Sequence, residues 1–195
     1  PASRRVSTSG SNRGEVMEQV PDQDSRRVAM IGTPPGEQPR ITDLSSIDPE
    51  NFKIRNTAFL MSDKRYDILD HQTKTDLRDQ IWRVRNGDLN KLMRRFPKNH
   101  PLHVQCANWM HAVAGRHFFP DANHRTAAVL LRKLLRDNGF WPKKWPKSVI
   151  EKTVVWSHEV RAKIPDIELN TLYKRDRLFL VWLLFFKRVL RNPVR

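Results

Sequence analysis

The chain has one cysteine, Cys106. An internal disulfide and a zinc site built from several thiolates are therefore excluded. Long apolar runs are missing as well. The longest, Leu178 to Phe186, has nine residues, against roughly twenty needed to cross a bilayer. No stretch near the N-terminus has the apolar centre of a signal peptide. These features predict a protein of a reducing interior, the cytoplasm, with no membrane partner.

The first fifty residues contain no aromatic side chain, and six of the 13 prolines lie among them. They hold six Lys+Arg and eight Asp+Glu, so they sum to −2, and residues 51–195 carry +17, which together give the formal +15 of the chain. A segment rich in Ser, Gly, Pro and charge cannot bury enough surface to offset its chain entropy. Residues 1–43 therefore read as a disordered tail and residues 44–195 as the globular domain.

Downstream the chain reads as helices with short joints, predicting an all-α fold. Thr73 with Asp76 three residues on has the form of a helix cap. Asn86-Gly87 reads as the stop of that helix, and Asp88 as the cap of a short one ended by Pro97. Pro101 suits the first position of a helix reaching about Arg116. Another fits Asn123 to Asn138, closed by Gly139, with Ala127, Leu131, Leu134, Leu135 and Asn138 inward. Ser148 and Glu151 form a capping-box pattern for a helix to about Lys163. The last helix, Thr171 to about Arg191, is apolar nearly all round and should be central. Strand-like alternation is confined to Phe52–Leu60, which allows one small β-hairpin.

Between the two middle helices stands His117-Phe118-Phe119-Pro120-Asp121-Ala122-Asn123-His124-Arg125-Thr126. A helix start presents free N–H groups and partial positive charge, a natural seat for phosphate. Arg125 adds a planar two-pronged donor for phosphate oxygens. Asp121 is a hard oxygen ligand suited to Mg²⁺ on phosphates. His117 can take a proton from a hydroxyl near neutral pH. Together these are the parts of a phosphoryl- or nucleotidyl-transfer site.

This loop resembles the Fic/Doc family signature H-x-F-x-D/E-x-N-x-R, matched at His117, Phe119, Asp121, Asn123 and Arg125. The resemblance is specific over about 100–140 and extends as architecture over about 65–190. It implies a Fic/Doc-type helical domain that uses ATP or another nucleoside triphosphate, with Mg²⁺, to modify a Ser, Thr or Tyr hydroxyl of a target protein. His117 would be the general base and Asp121 would hold Mg²⁺. Asn123 and Arg125 would hold nucleotide phosphates with the backbone N–H groups of Ala122, Asn123, His124 and Arg125. Phe119 would anchor the loop. Adenylylating members usually have glycine where His124 stands and a second arginine where Ala128 stands. Doc toxins have lysine at the first position, lack the second arginine and transfer a phosphoryl group. Bulky His124, cationic when protonated, resembles the Doc case, so phosphoryl transfer is preferred to adenylylation. The resemblance also implies control by a separate inhibitory protein, an antitoxin.

Three other patterns have less to offer. His100, His103, Cys106 and His111 invite a zinc reading, but if the last three share one straight helix they converge poorly on a tetrahedral ion. Trp141-Pro142-Lys143-Lys144-Trp145-Pro146-Lys147 could stack bases and neutralise phosphates, but also reads as a joint whose tryptophans cap the core. Ser46-Ile47-Asp48-Pro49-Glu50-Asn51 fits S/T-x-x-x-E-G/N, which in some Fic proteins marks an inhibitory helix. Asp48-Pro49 reads better as a cap and a first helical residue. The +17 of the domain motivates a rival from another class, a catalytically dead Fic-like module binding nucleic acid or the ribosome.

Overall fold

The computed structural model describes residues 38–62, 66, 68, 71–141 and 144–190, all within one compact unit. Most of the tail expected over 1–43 lies outside the described residues. Among those described there are seven helices and no strand, so the fold is all-α. The helices are α1 (Pro49–Ser62), α2 (Lys74–Arg83), α3 (Asn86–Arg94), α4 (Leu102–Arg116), α5 (Asn123–Asp137), α6 (Lys147–Arg161) and α7 (Arg177–Val189).

The central element is α4, whose eleven residues Gln105 to Gly115 are all buried. Its main neighbours are α7 and α5, while α6 lies on α7, and α1 lies against α2, α3 and α5. At Gly115 a Cβ would meet Ile167 Cδ1 and, on α7, Leu178 Cδ2 at 2.7 Å each, so a larger residue there would require those two side-chain ends to shift. By contrast, α7 exposes Leu180 and Leu184, so α4 and not α7 is the helix covered on every side. The start of α7 also differs from the expected Thr171. Asp176 accepts the Phe179 N–H at 2.9 Å and fixes the first turn at Arg177.

Where caps are local, the helices start and stop as expected. Thr73 and Asp76 make a reciprocal capping box at α2. Gly139, at φ +80°, ends α5. Its N–H reaches Arg136 O at 2.9 Å and the next N–H, of Phe140, reaches Leu135 O at 2.8 Å, the paired bonds of a Schellman turn. Two expected caps are different. Asn86-Gly87 opens α3 instead of closing α2, and Asp88 pairs with Arg85 at 3.1 Å inside that turn. Ser148 lies within the first turn of α6, with Pro146 in the cap position and no side-chain cap bond.

The strand-like stretch Phe52–Leu60 is helical. The buried residues of α1 are Phe52, Lys53, Asn56 and Leu60, a helical face on which two of four members are polar. Lys53 reaches the Trp82 carbonyl at 3.2 Å and its ring at 5.8 Å, so its stem packs while its charge is satisfied. The domain also begins before residue 44. Ile41 is fully buried, and its N–H and C=O bond the Gln105 side chain at 2.6 and 2.9 Å. Asn138 accepts the N–H groups of Thr42 and Asp43 at 3.0 Å each and donates to Asp43 O at 2.7 Å. Two buried or half-buried amides thus bind a segment whose composition alone offers almost no apolar surface.

Candidate active site

The loop between α4 and α5 is set by two residues in the left-handed region. His117 terminates α4 at φ 53°, ψ 61°, and Ala122 precedes α5 at φ 56°, ψ 20°. Each costs a non-glycine residue about 1–2 kcal/mol, and such strain persists only where surroundings over-determine it. Phe119 supplies one such constraint, since it is 3% exposed and belongs to the core. Asn123 supplies another. It accepts the Phe119 N–H at 3.0 Å and donates to Phe119 O at 2.7 Å. Its amide thus shapes the loop from inside, whereas the family resemblance gave it a phosphate.

The outward groups are those of the α5 start. Thr126 N–H is the first to find a helical acceptor, Ala122 O at 2.8 Å, so the N–H groups before it have no intrahelical acceptor. Beside them Arg125 Nη2 pairs with Asp121 Oδ2 at 2.9 Å and lies 5.3 Å from the Phe59 ring centroid. Both side chains are partly open, at 25% and 32% exposure. Asp121 is the carboxylate expected to take Mg²⁺, and among the described residues no group of three metal-ligating side chains forms. A lone carboxylate fits an ion carried on nucleotide phosphates, since Mg²⁺ is commonly held through one or two carboxylates plus phosphates and water.

Support from α1 and from the segment after it was not visible in the sequence. Asn56 donates to Asp121 O at 2.8 Å and to Thr126 Oγ1 at 3.0 Å, and it accepts from Tyr66 Oη at 3.0 Å. Burial raises the Tyr66 hydroxyl to about 12, keeping it a donor. No hydrogen bond or ion pair among the described residues joins Glu50 to the loop. Glu50 is exposed and six residues before Asn56, while Ser46 bonds Asp137 at 2.6 Å, at the far end of α5. The Ser46–Asn51 pattern spans the start of α1, where Asp48 accepts the Asn51 N–H at 2.8 Å and Pro49 is the first helical residue, as Asp48-Pro49 suggested.

On the other side α6 presents Ser157, His158 and Arg161. Arg161 Nε donates to Gly115 O at 2.8 Å and so ties α6 to the end of α4. The His158 ring lies 6.4 Å from that of His117 and 4.5 Å from that of His124. Although His117 is open to solvent on one side, partial burial of its ring, helped by Arg161 and His158, holds its pKa below the usual histidine value. It is neutral at neutral pH, as a proton acceptor must be.

His124 corrects an expectation. Burial, helped by His158 and His117, pushes it down to about 3, so it brings no positive charge to the helix start. Its Nε2 lies 2.8 Å from Ser157 Oγ, while the Ser157 hydroxyl reaches Val154 O at 2.7 Å. The serine proton is committed to that carbonyl, so Nε2 is the donor and Nδ1 carries the lone pair. The ring is packed between His158 and Trp182, the latter centroid at 5.8 Å. What His124 contributes is bulk.

No family model matches the chain, and neither a curated protein nor a solved structure matches it. The remaining sequence candidates do not join the site. His111 is buried and bonds Asp176 at 3.0 Å, and Cys106 is buried with its thiol pushed well up by burial. Trp145 is buried while Trp141 stands 69% exposed, so only the first caps the core. No helix of the described residues is long and apolar enough to cross a membrane.

The low pKa of His124 carries a stability prediction. Between about pH 6.5 and 3 the unfolded chain binds a proton at this residue that the folded chain does not. Stability should therefore be full above pH 6.5 and fall as the pH drops through that window. His124→Gln, which cannot titrate, should show a shallower loss of denaturation midpoint from pH 7 to pH 5. Equal slopes for the two proteins would show that His124 titrates normally.

Proposed function

We propose that the chain is a Fic/Doc-type transferase that moves a phosphoryl group from a nucleoside triphosphate to a hydroxyl of a target protein. The observation that carries the proposal is the loop itself: a neutral His117 at one end, an anion-receiving helix start at the other, and Asp121 with Arg125 between them. In the step, the target hydroxyl oxygen bonds to the γ-phosphorus as the bond to the β,γ-bridging oxygen breaks. His117 takes the hydroxyl proton, and the nucleoside diphosphate leaves with the bridging oxygen. Arg125 and the helix start bind the phosphates, where most of the barrier reduction in such reactions arises. Mg²⁺ held by Asp121 would supply charge neutralisation on those phosphates.

Phosphoryl transfer is preferred to adenylylation because the His124 ring fills the space that a glycine would leave beside the helix start. The Ser157 bond holds it there. The preference rests on that bulk and not on charge.

Incubation with a cell lysate and ATP labelled at the α or the γ position tests this directly. The γ label should reach protein and the α label should not. His124→Gly should weaken γ transfer and let some α label appear, a small gain because Ala128 supplies no second arginine. Transfer of α label alone by the wild-type protein would reject the phosphoryl reading in favour of adenylylation. Transfer of neither would reject both.

A further inference from the structure

The flank of the loop away from Asp121 and Arg125 carries cations that nucleotide binding does not use. Arg116, the last residue of α4, lies 5.8 Å from the Phe118 ring centroid. Its Nε is buried without a hydrogen-bond partner, and among the described residues it makes no ion pair. Arg161 is 18% exposed and oriented by two backbone carbonyls, Gly115 O at 2.8 Å and Ile164 O at 3.3 Å. His158, three residues before it, faces His117. These groups converge beside the proposed base.

One carboxylate meets them. Asp166, on the segment between α6 and α7, pairs with Arg161 at 2.5 Å while its side chain remains 86% exposed. The Arg161 hydrogen bond and charge hold it below the usual carboxylate range, and Arg116 and His117 add to the effect. A carboxylate so exposed has little packing to hold it.

We propose that the flank bounded by Arg116, His158 and Arg161 binds an acidic side chain next to the hydroxyl that is modified in the target, and that Asp166 occupies that position in the free protein. A target carboxylate arriving there displaces Asp166 from Arg161 and brings its neighbouring hydroxyl toward His117. The target would then be a segment with Asp or Glu close to its Ser, Thr or Tyr. That role for the bound segment rests on the transferase reading, but the binding itself does not.

The test uses the full chain and two fluorescent peptides of equal length, a serine between glutamates and a serine between glutamines. Anisotropy at fixed ionic strength should show the glutamate peptide bound more tightly. Arg116→Gln should weaken it about two- to fivefold, the range of a partly exposed ion pair, and Asp166→Asn should tighten it by a similar factor. Arg78→Gln, which removes an exposed charge on α2, should leave it unchanged. Equal binding of the two peptides would overturn the proposal. So would equal losses in Arg116→Gln and Arg78→Gln, which would mean general attraction to a +15 chain. An Asp166→Asn variant that binds no tighter would also overturn it, and that arm decides alone should Arg116→Gln not fold. Absence of label transfer from ATP to any protein would remove the transferase reading, yet the binding result would still stand or fall by itself.

Discussion

Phosphoryl transfer should fall by about 10²–10⁴-fold when His117 is replaced, the usual loss on removing a general base. Two variants separate chemistry from backbone strain. His117 sits at φ 53°, a region that asparagine tolerates better than alanine. His117→Asn should therefore keep the loop and lose the base, whereas His117→Ala adds a small cost in stability. Both should bind nucleotide nearly as well as the wild-type protein, since the groups assigned to phosphate are on α5. The rate should also depend on pH in one direction. A histidine held below its usual pKa stays basic into mildly acidic solution. Transfer should thus persist below pH 6.5 and decline only as His117 protonates. A His117→Asn variant retaining more than half the wild-type transfer would sink the assignment.

Signals that act within a few residues were legible in the sequence. The Thr73–Asp76 box, the Gly139 stop and the apolar stripe of α5 all depend on neighbours one turn away, and they appear where the pattern put them, while Pro101 stands one residue earlier than expected, as the cap of α4. The loop residues 117–126 were legible because their chemistry is dense and local. Long-range support was not. Asn56 is 65 residues from its acceptor at Asp121, Ser157 is 33 from His124, and Arg161 is 46 from Gly115. Nothing in the pattern of α6 says which loop its Ser157-His158-Arg161 face will meet. The charge state of His124 was missed for the same reason, because burial by α6 and α7 sets it. The inner face of α1 was hidden differently. Lys53 and Asn56 occupy two of its four buried positions, so a search for apolar periodicity finds alternation instead of a helix.

Phe119→Ala should damage the fold more than any other single change in the loop. The ring is 3% exposed and part of the core, so truncation loses both its transfer free energy and the packing around it, about 3–5 kcal/mol. That is a large share of the roughly 5–15 kcal/mol by which domains are stable. For a domain of this size it corresponds to a drop in Tm of about 6–20 °C. Phe119 is also the residue whose N–H and C=O both bond Asn123, so its anchor and that latch support the same turn. Loss of the ring should let the latch open, and Asn123→Ala should then cost less in the Phe119→Ala background than in the wild-type protein. Additive losses would show that ring and latch act separately. A melting temperature within about 2 °C of the wild type would show that the core does not depend on Phe119. The strained residues at 117 and 122 would then need some other constraint to hold them.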